Sequence, residues 1–185
     1  MIRIFPVLAA VDALALLVTF AAGLLKWLDP AALDAIDPLL HFKLGLFTVI
    51  GNLGLHCLIF IYFLGTGRWV KEVALAYQIP DVPWPRLTRD LKRRTFPPAL
   101  FAMLVPIAAA AAGMGAMFQE WPREIHLSLA AASLLVNAWA FVVEYRNVRA
   151  NVGALDGVLR EVDRIRAERG LPTNEEQLRR EETGR

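Results

Sequence analysis

The chain has 185 residues, of which 56% are hydrophobic and 21% charged. An average soluble domain is about 45–50% apolar with about 25% charge, so the excess here favours one domain with long apolar stretches, as in a membrane protein. Cys57 is the only cysteine, and the chain has no C-x-x-C or Cys/His finger spacing, which excludes internal disulfides, zinc fingers and covalently attached haem.

Four segments are long and apolar enough to cross a hydrocarbon core of about 30 Å, which takes about 20 helical residues. They cover approximately residues 5–26, 38–64, 97–118 and 122–145. Each has a proline at or near its first turn, where the missing N–H costs no helical hydrogen bond; these are Pro6, Pro38, Pro97 and Pro122. The sequence therefore predicts an all-α integral membrane protein whose residues 1–148 form a four-helix transmembrane bundle.

A further helix is expected after the second span. Gly65 and Gly67 indicate the end of that span, because glycine commonly follows the last turn of a helix. Residues 67–79 then carry an apolar face typical of a short helix lying at the membrane interface. An ordinary capped loop helix is the alternative for this segment.

The fourth helix is expected to continue beyond the membrane. Residues 149–170 keep apolar positions at a spacing of three and four, which predicts an amphipathic extension. Its apolar stripe needs a cover, which a partner subunit, a second copy or the 67–95 loop can provide. The polar tail, residues 171–185, has too little apolar content to fold alone and is expected to be disordered.

The distribution of lysine and arginine predicts the orientation. Arg3, the loop between the second and third spans and the segment beyond the fourth span together hold 17 of the 20 basic residues. Cytoplasmic segments of membrane proteins carry this excess, so both termini and the extension are expected in the cytoplasm. We expect a multi-pass protein of the bacterial inner (cytoplasmic) membrane.

The second and fourth spans repeat one polar pattern. The second contains His41, Leu44, Thr48 and Asn52, and the fourth contains His126, Leu129, Ser133 and Asn137. The shared spacings of 3, 4 and 4 place each set on one helical face. A weaker match, Ala-Ala-Gly at 21–23 and at 111–113, lies in the first and third spans. The pattern predicts two duplicated helical hairpins.

Polar side chains inside the spans are the candidate functional residues, because they are costly in a membrane and normally face the bundle interior. They are Asp12, Thr48, Asn52, His56, Ser133, Asn137 and Glu144. Asp12 comes to a depth similar to that of His56, so a contact between them is allowed, either as a structural pair or as part of a proton path. Hydrogen bonding between helices accounts for the amides and hydroxyls without any ligand.

His41 and His126 are expected at equal depth, one turn inside the outer surface. Two neutral imidazoles from facing helices can supply both axial ligands of one haem b. A quinone head group or a copper ion are alternatives, and the lack of Met or Cys at that level disfavours copper. Two interfacial histidines satisfied by water and headgroups are the alternative without a cofactor. Paired histidines in a small four-helix bundle resemble b-type cytochrome membrane subunits in architecture, with no diagnostic motif.

Three classes of function stay open. The sequence contains no motif of a soluble-type active site, which favours a non-catalytic or accessory subunit of a larger membrane complex, an electron-transport complex among them. The alternatives are a small b-type cytochrome with one haem between His41 and His126, and a small transporter or proton-coupled channel. Expected partners are the lipid bilayer and other membrane subunits or a second copy. Anionic lipid, rather than nucleic acid, explains the basic run at 92–94.

Overall fold

The computed structural model describes residues 1–29, 31, 36–37 and 39–183; Pro38, the predicted start of the second span, lies outside them. Within these residues the chain forms helices and no strands, which confirms the all-α prediction. The helices are α1 (Ile4–Leu28), α2 (Leu40–Tyr77), α3 (Trp84–Phe118), α4 (Arg123–Glu168) and α5 (Asn174–Thr183).

Of the described helices, α1 to α4 are each long and apolar enough to cross a membrane. Many large apolar side chains lie on the outside of these helices, and polar side chains are buried inside beside apolar ones such as Ile59 and Phe63. Phe47 and Leu135 are 74% and 73% exposed, whereas Asn52, His56 and Glu144 are 0% exposed. Large apolar side chains on the outside and polar ones inside suit a hydrocarbon surrounding, in which polar groups must be satisfied internally.

The four long helices form a ring. Each packs against its neighbour in sequence, and α1 also packs against α4. The α3–α4 contact is the most extensive, while α2 touches α4 across the diagonal. Because the two polar stripes lie on α2 and α4, this diagonal contact brings them together inside the bundle.

The predicted end of the second helix is corrected by the structure. α2 is continuous over 38 residues and passes through Gly65 and Gly67, so the segment 67–79 is mostly the last part of this helix and not a separate one. A glycine inside a helix costs about 1 kcal/mol relative to alanine, which tertiary packing offsets. That packing is present further along, where Val70 is buried. The helix ends at Gln78, whose φ of 56° lies in the left-handed region.

The predicted start of the third helix is also corrected. α3 begins at Trp84, well before Pro97, and includes Pro97, Pro98 and Pro106 in its interior. An interior proline removes one helical hydrogen bond, and such helices persist where neighbouring helices hold them. Pro98 and Pro106 are both buried against the rest of the bundle.

The C-terminal part of α4 is covered by the chain itself. Val158 and Val162 pack in one cluster with Val70 of α2 and Ile79 of the following loop. Gly157 faces the indole of Trp84 so closely that a Cβ there would lie 2.6 Å from a ring carbon. The 67–95 segment is therefore the cover for the amphipathic stripe.

The tail contains the helix α5, contrary to the expectation of disorder. A capping box begins it: Thr173 Oγ1 accepts from the backbone N–H of Glu176, and Glu176 Oε2 accepts from the N–H of Thr173. The N–H of Asn174 also donates to Asp163 Oδ1 of α4 at 2.8 Å. These bonds satisfy the N–H groups of Thr173, Asn174 and Glu176 at the start of the helix. Composition alone does not indicate that such bonds form.

Candidate intramembrane site

A histidine and a glutamate form a fully buried polar contact inside the bundle. His56 of α2 and Glu144 of α4 are both 0% exposed, and Nδ1 of His56 lies 2.7 Å from Oε1 of Glu144. The ring of Phe141 stacks on the imidazole with its centroid 5.7 Å away and its plane tilted by 9°. Aromatic and helical packing thus exclude solvent from this pair.

Two amides extend the contact toward α1. Nε2 of His56 lies 2.9 Å from Oδ1 of Asn137, and Nδ2 of Asn52 donates to the same oxygen at 2.6 Å. Nδ2 of Asn52 also donates to Oδ2 of Asp12 at 2.9 Å. Asp12, Asn52, His56, Asn137 and Glu144, here called the buried cluster, therefore form one hydrogen-bonded chain across three helices.

The cluster differs from the contact allowed by the sequence. Asp12 was expected near His56, but Asn52 and Asn137 lie between them in the hydrogen-bonded chain. The direct partner of His56 is Glu144. Glu144 follows Asn137 by seven residues, two helical turns, and so lies on the same face of α4. This spacing in the sequence indicates that Glu144 belongs to the cluster.

The two hydroxyl residues of the stripes make separate contacts. Thr48 Oγ1 lies 2.7 Å from Oγ1 of Thr19 on α1. Ser133 Oγ donates to the carbonyl of Leu129 in its own helix, and its backbone carbonyl accepts from Asn137 Nδ2 at 2.9 Å. Thr48 therefore joins α1 to α2, while Ser133 supports Asn137.

His41 and His126 meet toward the other end of the bundle. Their ring centroids are 5.9 Å apart and their planes are inclined by 70°. Each ring lies against a glycine of the preceding helix. A Cβ on Gly23 would lie 2.7 Å from Cε1 of His41, and a Cβ on Gly113 would lie 3.0 Å from Cε1 of His126. The glycines of the two Ala-Ala-Gly segments thus leave the space that the two imidazoles occupy.

The hydrogen bond of His126 defines its free nitrogen. Nδ1 of His126 lies 2.8 Å from the carbonyl oxygen of Ala109 on α3. Because a carbonyl only accepts, Nδ1 carries a hydrogen, and in the neutral imidazole the lone pair is then on Nε2. This arrangement is typical of histidine ligands, whose second nitrogen donates to a carbonyl that fixes the ring.

A second polar layer was not found from the sequence. Asn151 of α4 donates to the hydroxyls of Tyr62 and Thr66, both at 3.1 Å. Beside it, Asn147 donates to Oγ1 of Thr95 at 2.9 Å. Asn147 and Asn151 lie four residues apart on a helix, and that spacing beyond the predicted fourth span is the signal for this layer.

The fold and the buried polar groups define a class: a four-helix bundle whose apolar helices are compatible with a multi-pass membrane protein. Within the described residues, no group of three or more His, Cys, Asp or Glu is placed to hold a bare metal ion. Comparison of the chain with protein-family models, with curated proteins and with solved structures gave no match.

Proposed function

We propose that this chain is a small membrane electron carrier that binds one haem b between His41 and His126. The observation that carries the proposal is the 5.9 Å separation of the two imidazole centroids, with each ring seated against a glycine. Bound haem supplies one-electron redox chemistry. His41 and His126 would hold it, and the surrounding helices would provide an apolar environment.

The two imidazoles lie close enough together to be ligands of one metal centre, since their centroids are 5.9 Å apart. His41 and His126 would hold the haem iron, for which histidine is a common ligand. Two histidines are too few for a bare transition-metal ion, which favours a group that brings ligands of its own.

The proposed architecture is a duplicated hairpin with both termini in the cytoplasm of a bacterial inner membrane. The paired contacts of His41 with Gly23 and of His126 with Gly113 support the duplication, because equivalent residues make equivalent contacts. The 17 of 20 basic residues on the side of both termini support the orientation.

The test is the visible spectrum of protein produced with haem supplied and purified in mild detergent. We expect a Soret band, and a spectrum of low-spin six-coordinate iron when oxidised. The variants His41→Ala and His126→Ala should each lose the low-spin spectrum. His56→Gln is the matched control, because it removes the third histidine of the chain and should leave the Soret band in place. Folded wild-type protein without a Soret band would overturn the proposal.

The accessory-subunit hypothesis stays a prediction. It was based partly on the uncovered stripe of the C-terminal extension, and Val158 and Val162 of that stripe are covered by Val70 and Ile79 of the same chain. The proposed carrier requires electron donors and acceptors, and a larger membrane complex or a second copy is the partner that this function favours.

A further inference from the structure

We propose that the buried cluster is a proton-binding site inside the membrane, which takes up one proton through Asp12. The site lies on α1, α2 and α4 and includes neither His41 nor His126. It therefore does not depend on the proposed haem.

The orientation of Asn137 fixes the hydrogens of the cluster. Its Nδ2 faces the carbonyl oxygens of Ala102 and Ser133 at 3.3 and 2.9 Å. Both carbonyls only accept, so the amide nitrogen must lie on that side and Oδ1 must face Asn52 and His56. Because Oδ1 only accepts, Nε2 of His56 carries a hydrogen.

One proton must then lie between His56 and Glu144. A bare imidazole lone pair at 2.7 Å from a carboxylate oxygen would be repulsive. The proton is bound either to Nδ1, giving an imidazolium and a carboxylate, or to Oε1, giving a neutral imidazole and a carboxylic acid. The His56–Glu144 pair has no net charge in either case.

The third ionisable group leaves the cluster one proton short of neutrality. When Asp12 is ionised, the cluster carries a net charge of −1 in both states of the His56–Glu144 pair. A proton delivered by hydronium forms an O–H bond on the Asp12 carboxylate and leaves water, which brings the cluster to zero. An unpaired charge at mid-helix costs a few kcal/mol or more in a membrane, so the cluster favours binding this proton.

No other charge compensates Asp12 among the residues that the structure describes. The ionisable groups that face the cluster are Asp12 from α1, His56 from α2 and Glu144 from α4. α3 contributes the backbone carbonyl of Ala102, and its sequence has no ionisable residue after Arg94.

Two acceptor atoms of the cluster also have no hydrogen donor. Oδ1 of Asn52 and Oε2 of Glu144 are buried and accept no hydrogen bond from the described residues. Both residues are 0% exposed. Buried polar atoms are normally hydrogen-bonded, so a cluster with two unpaired acceptors favours holding an additional hydrogen over losing one.

Access is through Asp12. Its side chain is 6% exposed, whereas the other four members of the cluster are 0% exposed. It lines a mainly apolar groove of about 480 Å³ between α1 and α2, beside Val11 and Phe47. The amides of Asn52 and Asn137 are neither acids nor bases near neutral pH, so they separate Asp12 from the His56–Glu144 pair. We therefore assign the added proton to Asp12 and not to Glu144.

The test is infrared difference spectroscopy of the purified protein in lipid as the pH is changed. Exposed carboxyl groups, with pKa values of about 4, are ionised above pH of about 6. A carboxylic-acid C=O band present at neutral pH that moves in D₂O is therefore expected from the cluster. Asp12→Asn keeps the shape of the side chain and an oxygen that can accept from Asn52. It should remove the band that the Asp12 carboxyl group contributes. Asp90→Asn, at a carboxylate whose side chain is 42% exposed, is the matched control and should retain it.

An isotope label tests the assignment on the wild-type protein, so the test does not depend on whether Asp12→Asn folds. Wild-type protein labelled with ¹³C at the aspartate carboxyl carbons should show the same band at lower frequency. Wild-type protein without a carboxylic-acid band that moves with the aspartate label would overturn the proposal, and so would survival of that labelled band in Asp12→Asn. The visible spectrum tests haem independently, so failure of one proposal is distinguishable from failure of the other.

Discussion

His56 and Glu144 are 88 residues apart in sequence, yet Nδ1 of one lies 2.7 Å from Oε1 of the other, and both side chains are fully buried. The contact joins α2 to α4 across the diagonal of the bundle. Since Nε2 of His56 is bound to Asn137, the imidazole uses both nitrogens, and its partners determine its hydrogen positions. The contribution of this contact to the free energy of unfolding can be measured.

Replacing Glu144 should separate the need for a charge from the need for a partner. Glu144→Leu leaves Nδ1 of His56 buried without a hydrogen bond, and we expect a loss of about 1–3 kcal/mol in the free energy of unfolding. Glu144→Gln is the matched control, because its amide can donate to Nδ1, and it should cost clearly less. Reversible unfolding in bicelles measures both. Equal losses for the two variants would contradict the hydrogen-bond explanation.

The glycines behind the paired histidines should not tolerate a methyl group. Gly23→Ala places a Cβ 2.7 Å from His41 Cε1, and Gly113→Ala places one 3.0 Å from His126 Cε1. We expect overpacking to cost about 1–3 kcal/mol, with the larger effect at Gly23. Haem content and thermal melting of the purified variants measure this.

Gly54→Ala is the control for the paired glycines. It lies in α2, and a Cβ there would meet no atom within 4 Å. Alanine has the higher helix propensity, so this variant should be neutral or stabilising by up to about 1 kcal/mol. The explanation fails if Gly54→Ala is as damaging as Gly23→Ala.

The indole of Trp84 should anchor the C-terminal extension to α3. Gly157→Ala would place a Cβ 2.6 Å from a ring carbon of Trp84, while a Cβ at Gly153, one turn earlier, has no atom within 4 Å. We expect faster amide hydrogen exchange over the cluster around Val158 in Gly157→Ala. Gly153→Ala should exchange no faster than the wild type, because it adds helix propensity without a clash.

Asp81 should titrate below its ordinary range. Arg89 donates to both carboxylate oxygens of Asp81, at 2.7 and 2.6 Å, and thereby lowers the pKa of that carboxyl. The ion pair is therefore present at neutral pH and is lost as the pH falls through this lowered pKa. Carboxyl ¹³C NMR should show the pKa of Asp81 rising toward about 3.9 in Arg89→Gln. Arg86→Gln removes a smaller, more distant effect and should raise the pKa less.

The orientation can be tested with single cysteines in a Cys57→Ser background. Lys71 near the end of α2 and Gln119 after α3 are exposed and lie at opposite ends of the bundle. With both termini in the cytoplasm, Gln119→Cys should react with a membrane-impermeant thiol reagent in intact cells. Lys71→Cys should react only after permeabilisation. The reverse pattern would contradict the positive-inside argument.

The sequence alone was enough to predict the four long apolar helices and the polar residues that face inward. Apolar length alone predicts helices α1 to α4, since a bilayer leaves the backbone of a single segment no other way to satisfy its hydrogen bonds. The shared 3-4-4 spacing places His41 and His126 at matching levels on one face of α2 and α4, and the structure brings their rings to 5.9 Å. Local periodicity and length are sufficient for such features.

Helix ends and side-chain partners depended on the tertiary structure. Gly65, Gly67 and Pro97 are local signals for a helix boundary, yet α2 and α3 continue through them, because packing against α4 outweighs a propensity cost of about 1–3 kcal/mol per residue. Depth along a helix allowed Asp12 as the partner of His56. The rotation and diagonal approach of α2 and α4 placed Glu144 there instead. Pattern and length thus determined which residues face inward, and the packing of four helices decided which of them are hydrogen-bonded to one another.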